Sequence, residues 1–292
     1  LIEEGSWVDA RIDTAIHDRK PVPKTDIRKM LIPLGPIAVF GAANFPIAFS
    51  AAGGATISAL AAGCPVIVKA HPAHPETSAL AAEAIKRAAV TCGMPEGVYQ
   101  HIDFEGEESI KAGQALITHP LLKGAGFTGS LAGGRALFDL ANSRPDPIPF
   151  FAEMSSINPV ILLPETLSRD AEKSAQELAS SISLGAGQFC TNPGLIIAVE
   201  GEQLERFIKC LDTEIQKSIP QKMLNQGIAD NYYRKLSHAL MQKGVKTECR
   251  AHADESEDRG KPLVASAHAE TFISNIELAH EVFGPYSLII RC

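Results

Sequence analysis

The sequence predicts an α/β protein built as two units, and three observations carry that reading. Between residues 30 and 153, short apolar runs bounded by Gly and Pro alternate with longer stretches of helical period. That order gives parallel strands joined by right-handed crossovers. After Pro149 the same alternation resumes as a second unit, with the boundary near Glu153. Third, no residue from Leu31 to Val68 carries a charge. Such a run has to be tested as a membrane span. Prolines 33, 36, 46 and 65 and glycines 35, 41, 53, 54 and 63 cut it into pieces too short to cross as one helix. It reads instead as buried strand, helix and buried strand of an α/β core.

Residues 1–29 are polar and proline-punctuated, without a period, and read as a connecting arm. Ile37–Phe40 is the first strand. Asn44-Phe45-Pro46 starts a helix that runs through small residues to Gly63, with Asn44 as a cap and Pro46 in the first turn. Val66–Lys69 is a strand, and Thr77–Cys92 a helix that Gly93 stops. Val98–Ile102 is a strand, Glu107–Leu116 a helix, and Gly124–Phe127 a strand opening into the helix Ser130–Asn142. In the second unit Phe150–Glu153 and Pro159–Leu163 are short strands and Arg169–Leu184 is a helix. Leu195–Val199 is a strand, Leu204–Ser218 and Tyr232–Met241 are helices, and the remainder alternates weakly.

A composition of 45% hydrophobic and 21% charged residues is that of a globular chain, not a disordered or fibrous one. The net charge of -7 argues against nucleic acid or an anionic membrane as partner. Six cysteines without a C-x-x-C or a tight framework suit free thiols in a reducing cytoplasm. The start is acidic, unlike a signal peptide. Both ends read as cut, since there is no initiator Met and the chain stops inside a β-like run.

The stretch Ser183–Ile197 (S-L-G-A-G-Q-F-C-T-N-P-G-L-I-I) concentrates the chemistry. Cys190 lies in a run of Gly, Gln, Thr, Asn and Pro between a helix and a strand. Small neighbours there let a substrate come close, so the thiol is a candidate nucleophile; the alternative is a free cysteine in a turn. Phe127-Thr128-Gly129-Ser130 is a strand–glycine–helix junction, where unpaired N–H groups favour an anionic phosphate. The alternative there is a tight turn with Ser130 as N-cap. Asn44 is either a helix cap or an amide at the carboxyl end of a strand, placed to donate to an oxyanion. Lys69, ending a strand, is either solvated or holds ribose or phosphate. Glu153 closes an apolar strand (Ile148, Phe150, Phe151), where partial burial suits a general base. Glu281 precedes a turn anchored by Phe283. His71-Pro72-Ala73-His74 is a poor metal site, since prolines kink the loop and no third ligand is indicated. G-x-S-x-G, H-E-x-x-H and Walker-type loops are all missing, which removes serine hydrolase and P-loop readings.

Together these stretches resemble the NAD(P)-dependent aldehyde dehydrogenase superfamily. The matches are Asn44-Phe45-Pro46, Gly63–Lys69 (G-C-P-V-I-V-K), Phe127–Ser130, Glu153, Gly187–Cys190 (G-Q-F-C) and Glu281–Pro285 (E-V-F-G-P), in the family's order and approximate spacing. The wording of 41–54, of K-A-H-P-A-H-P and of E-M-S-S-I-N-P is similar to the branch acting on 2-oxoglutarate semialdehyde; a branch using fatty aldehydes with NADP is also similar. The resemblance implies an aldehyde-dehydrogenase-like α/β fold: a Rossmann-type parallel-sheet domain for NAD or NADP at 30–153, and a second α/β catalytic domain at 154–292, both incomplete. It implies Cys190 as nucleophile, with Asn44 and the Cys190 N–H as oxyanion donors. Hydride leaves for the nicotinamide, and Glu153 activates the water that cleaves the thioester. It further puts Lys69 by the adenosine ribose, Ser130 by the pyrophosphate, Glu281 by the nicotinamide ribose and Phe283 against the ring. His71, Phe127, Thr128, Gly129 and Gly134 join the cofactor-binding set. Lys69 counts with the catalytic set as well. Pro72 stands where NAD-preferring relatives carry a ribose-binding Glu, so dual or NADP-leaning use is expected. The family-typical assembly is a homo-oligomer; missing ends make a non-catalytic remnant of the fold the rival reading.

Overall fold

The computed structural model describes residues 5–252, 256 and 258–292. Two compact units divide the chain, residues 1–154 and 155–292. The first begins with a ribbon: β1 (Arg11–Asp13) pairs antiparallel with β2 (Ile27–Lys29), Arg11 opposite Lys29. The arm therefore has regular structure that its aperiodic sequence did not announce; a two-stranded ribbon with both faces exposed leaves no apolar alternation to detect.

The parallel sheet of this unit is built from β3 (Ile37–Phe40), β4 (Val66–Lys69), β5 (Tyr99–Ile102), β6 (Gly124–Gly129) and β7 (Phe150–Met154), in the order β5-β4-β3-β6-β7. Ile37 registers with Val66 on one side and Gly124 on the other. Helices α1 (Gly54–Ala61), α2 (Pro75–Thr91), α3 (Gly106–Thr118) and α4 (Leu131–Asn142) cover both faces. Alternate residues of β3 serve two cores: Ala38 and Phe40 join Ile117, Ala125 and Ala141, whereas Val39 joins Val66, Val68 and Ala82. Burial on both faces is why these strands read as unbroken apolar runs. From β3 the chain steps outward through β4 to β5, then returns to the other side of β3 for β6. The sheet thus has its topological switch point between β3 and β6, where doubly wound folds bind ligands at the strands' carboxyl ends.

The expected helix from Asn44 to Gly63 is corrected. Only Gly54–Ala61 is helical, capped by Gly53, and 44–53 are turns closed by Ala42 N–H to Phe49 O (2.8 Å) and Phe49 N–H to Phe45 O (3.2 Å). The turns fold too tightly for side chains at their crossings. A Cβ on Gly41 would lie 2.4 Å from Ser50 Oγ, and one on Gly53 2.4 Å from Ala48 O.

The second unit holds a mixed sheet. Its strands are β8 (Pro159–Leu162), β9 (Leu195–Ala198), β11 (Lys246–Arg250), β13 (Leu263–His268) and β14 (Tyr286–Arg291), in the order β11-β13-β14-β9-β8. Only the edge strand β11 runs antiparallel to its neighbour. Short strands β10 (Gln221–Lys222) and β12 (Arg259–Gly260) form a separate ribbon. One core packs α5 (Pro164–Ser183) and α6 (Glu202–Lys217) on the sheet; the other holds α7 (Gln226–Leu240), beside which lies the short α8 (Ala269–Ser274). The "weakly alternating" remainder therefore supplies three of the five strands. All six residues of β14 are buried, so a central strand showed no period of two. No helix among the described residues is long and apolar enough to cross a membrane.

Candidate functional site

In the second unit the sequence makes the cysteine loop rigid by backbone means. After α5 the residues Gly185, Ala186 and Gly187 take φ +54°, +55° and +64°, three successive left-handed residues. Glycine adopts this region freely, whereas Ala186 does so at about 1 kcal/mol of strain. Ala186 is 1% exposed, so packing holds it there. Gln188 ties the turn at both ends, donating to Gly185 O (2.9 Å) and accepting from Leu224 N–H (2.9 Å). Cys190 follows, half-buried, in a turn closed by Asn192 N–H to Phe189 O (3.1 Å).

Cys190 differs from the other thiols in its setting. Cys64 and Cys249 are buried, and burial pushes the Cys249 thiol up to about 12. Cys210 sits within α6 against the core. Cys190 is half-buried on a loop between a helix and a central strand.

Two amides hold this loop that the sequence reading did not single out for a role. Asn158 Nδ2 donates to Cys190 O (2.7 Å) and Asn192 O (3.1 Å), and it contacts Ser156 Oγ (3.2 Å). Asn192 Nδ2 donates to Gly284 O (3.4 Å) and Tyr286 O (3.3 Å), fastening the loop to the E-V-F-G-P turn. Their one sequence signal is shared: each is an Asn-Pro step entering a strand (Asn158-Pro159, Asn192-Pro193). Glu281 accepts from Ser156 N–H through Oε1 (3.0 Å), while Lys235 Nζ holds its carbonyl (2.9 Å). A cleft beside the loop is lined by Ser156, Gly187, Phe189, Asn192, Glu281 and Phe283. Cys190, Glu281 and Phe283 thus belong to one hydrogen-bonded assembly of three segments.

In the first unit the remaining residues gather at the carboxyl ends of the parallel strands. Asn44 is half-buried four residues past β3, and its loop is held by His74, whose Nε2 meets Ala42 O at 2.8 Å. Lys69 ends β4, donating to Ala70 O (3.1 Å); burial lowers its pKa against the opposing pull of Asp103. His71 stacks on His74 with ring centres 5.6 Å apart. Burial, then His74 and Lys69, lower its pKa to about 4, so it is neutral at pH 7. His74 Nδ1 is buried without a protein partner. Thr128 and Gly129 end β6, and Ser130 is the exposed N-cap of α4, accepting from Gly133 N–H (3.2 Å).

The Phe127 ring stacks on Phe150 (6.3 Å) against the core. Gly134 is buried, and a Cβ there would lie 2.3 Å from Met154 Cγ. Glu153 is exposed rather than half-buried. β7 is an edge strand, and its alternation turns Phe150, Ala152 and Met154 toward the core and Phe151 and Glu153 away. No cluster of three His, Cys, Asp or Glu side chains suited to a metal occurs among the described residues.

Residues 7–292 match the aldehyde dehydrogenase family. The chain is 46% identical over 291 residues to alpha-ketoglutaric semialdehyde dehydrogenase of Acinetobacter baylyi, covering 99% of this chain and 54% of that protein. It is 45% identical to alpha-ketoglutaric semialdehyde dehydrogenase 2 of Azospirillum brasilense, across 100% of this chain and 55% of the relative. It spans about half the length of both. Among solved structures, an NAD-dependent benzaldehyde dehydrogenase from Corynebacterium glutamicum superimposes with a TM-score of 0.78. That likeness covers 99% of this chain and 61% of the other at 21% identity, and so speaks to the fold. With family, fold and motif order in agreement, the chain belongs to the aldehyde dehydrogenase family.

Proposed function

We propose that the protein oxidises an aldehyde to a carboxylate with NAD or NADP, and that its substrate is 2-oxoglutarate semialdehyde. The observation that carries the reading is Cys190: a half-buried thiol on a strained, doubly fastened loop. The identity of nearly half the chain's residues to two alpha-ketoglutaric semialdehyde dehydrogenases supports the substrate.

In this reading the Cys190 thiolate adds to the aldehyde carbon. The Asn44 amide and the Cys190 N–H stabilise the oxygen that becomes negative. A bound nicotinamide dinucleotide supplies the hydride acceptor that turns the adduct on Cys190 into a thioester. Glu153 takes the proton of the water that cleaves the thioester, releasing carboxylate and thiol. Exposure of Glu153 suits a base that must reach water.

The residues at the strand ends fit such a dinucleotide chemically. Lys69 offers positive charge, Ser130 an exposed helix start, and His74 Nδ1 an unpartnered polar atom. Lys69, His71, Thr128, Gly129 and Ser130 are assigned to its adenosine and phosphate parts, Glu281 and Phe283 to its nicotinamide end. Position 72 carries no carboxylate and neutral His71 adds no charge, so a 2′-phosphate meets no repulsion and both cofactors serve. Six free thiols suit the cytoplasm, and the whole protein is assigned a homo-oligomer.

The test follows reduced-cofactor absorbance with 2-oxoglutarate semialdehyde and, separately, a long-chain aldehyde, using NAD and NADP in parallel. The semialdehyde is the better substrate, and Cys190→Ala loses on the order of 10³-fold or more in rate. Folded protein that turns over neither aldehyde, or an active Cys190→Ala variant, sinks the proposal.

A further inference from the structure

We infer that Asn158 is a positioning residue for the nucleophile: its side-chain amide sets the conformation of the Cys190 turn and so the reactivity of the thiol. The inference rests on the role proposed for Cys190 and extends it to a residue outside the reacting set.

One nitrogen, Asn158 Nδ2, reaches Cys190 O at 2.7 Å and Asn192 O at 3.1 Å, carbonyls two residues apart in sequence. Holding both fixes the peptide that follows Cys190 and the far end of the turn together. The backbone of Asn158 is itself immobilised, because Leu195 N–H donates to its carbonyl (3.4 Å) and Pro159 registers with Leu195 at the start of the β8–β9 pairing. The clamp is therefore anchored in the sheet rather than in the loop it holds. Ser156 completes the arrangement: its Oγ lies 3.2 Å from Asn158 Nδ2 while its N–H is taken by Glu281. The amide also has an electrostatic effect. Its N–H groups bond the Cys190 and Asn192 carbonyl oxygens and offset part of the negative charge those oxygens carry in the turn that bears the thiol.

The chemistry of the substitution separates positioning from bulk. Asn158→Asp keeps the shape, removes both donors and puts acceptor oxygens against the Cys190 and Asn192 carbonyls. Asn158→Ser keeps a single shorter donor. The measurement is the alkylation rate of Cys190 by iodoacetamide across pH 6–10, read by mass on the Cys190 peptide in folded protein. Aldehyde turnover is measured beside it. The parent gives one titration curve. Asn158→Asp is expected to displace that curve to higher pH and slow alkylation at pH 7 by about tenfold or more, with turnover falling in step. Asn158→Ser is expected to lie between the two. An Asn158→Asp profile within twofold of the parent at every pH overturns the inference. So does unfolding of both variants, which would make Asn158 a purely structural residue. If the parent oxidises no aldehyde, the proposed activity fails, yet the alkylation profiles still judge Asn158.

Discussion

Replacing Gly187 by alanine should damage the protein far more than its backbone angle accounts for. A left-handed φ of +64° at this position costs a non-glycine residue about 1 kcal/mol. The new Cβ would then lie 2.3 Å from Gly284 C and 2.4 Å from Gly284 O and Pro285 N, all backbone atoms of the facing turn. An ordinary contact needs more than 3.4 Å, so the two loops must part by roughly an ångström. Parting them strains two hydrogen bonds, Asn192 Nδ2 to Gly284 O and to Tyr286 O, each worth about 0.5–1 kcal/mol. Gly284 cannot retreat easily, because its own Cα side faces the Tyr232 ring at 2.3 Å from an added Cβ. Overpacking of that kind costs about 1–3 kcal/mol, against about 0.4–1 kcal/mol recovered from the stiffer unfolded chain. The expected net loss is about 3 kcal/mol. Gly93 is the control: it shares φ +64° but has nothing within 4 Å of an added Cβ, so Gly93→Ala should cost about 1 kcal/mol or less. Urea unfolding of both variants against the parent measures the difference. Equal losses, within about 0.5 kcal/mol, would mean that the two turns do not touch as described.

Three further outcomes follow from the electrostatics. His71 titrates near 4 in the folded protein, from burial first and from His74 and Lys69 next, against an ordinary 6.5. The unfolded chain therefore binds a proton that the folded one excludes, and stability drops as pH falls from 6.5 toward 4, by up to about 3 kcal/mol. His71→Asn should flatten the melting-temperature profile across that window, and an unchanged slope would refute the assignment. Arg291 (9% exposed) donates to Glu248, whose side chain is 6% exposed. Arg291→Met should cost about 3 kcal/mol by leaving the carboxylate buried, and adding Glu248→Gln should recover much of it; a double variant as weak as the single one contradicts this. Burial raises the Glu248 pKa, but hydrogen bonds from Ser266, Lys246 and Arg291 outweigh it and leave it low. This network accordingly stabilises the fold above pH 4.5 and weakens as pH drops below that, at the acid end of the His71 window. Finally, the Cys249 thiol, pushed up to about 12 by burial, should stay unmodified in native protein while Cys190 alkylates; comparable rates at the two would falsify the burial.

How much of this was legible depended on whether a position's partners were near in sequence or its burial one-sided. β3 and β4 were legible because strands buried on both faces are uncharged and bounded by Gly and Pro. The cysteine loop was legible because left-handed turns select glycine, at 185 and 187. The same physics hid β13, a central strand without alternation, and left β14 legible only as a β-like run at the end. The false helix at 44–53 came from counting small apolar residues, whose helical propensity is overridden where Gly41 and Gly53 let the chain fold onto itself. Glu153 was misjudged because an apolar strand says nothing about which of its two faces a given residue takes, and an edge position exposes one of them.

The holding amides were illegible for a different reason, and it bears on how the site works. Asn158 and Asn192 act on carbonyls 32–34 and 92–94 residues distant, through single side chains with no periodicity to reveal them. A turn containing a left-handed alanine cannot keep its own shape at a strain of about 1 kcal/mol; the compensation must come from outside it. Of the three non-glycine residues with positive φ among those described, Asp9, Ser155 and Ala186, two adjoin positions proposed for catalysis: Ser155 two residues past Glu153, Ala186 four before Cys190. Ser155 takes φ +62°. Strain placed beside reacting groups persists only when surrounding packing over-determines it, and here the source of that packing is identifiable. β14 and the turn before it fasten the cysteine loop from one side, β8 and Asn158 from the other. The conformation of Cys190 is therefore a property of the sheet as a whole. Substitutions in β14 or at Asn158, far along the chain from the sulfur, belong to the same energetic unit as the loop itself.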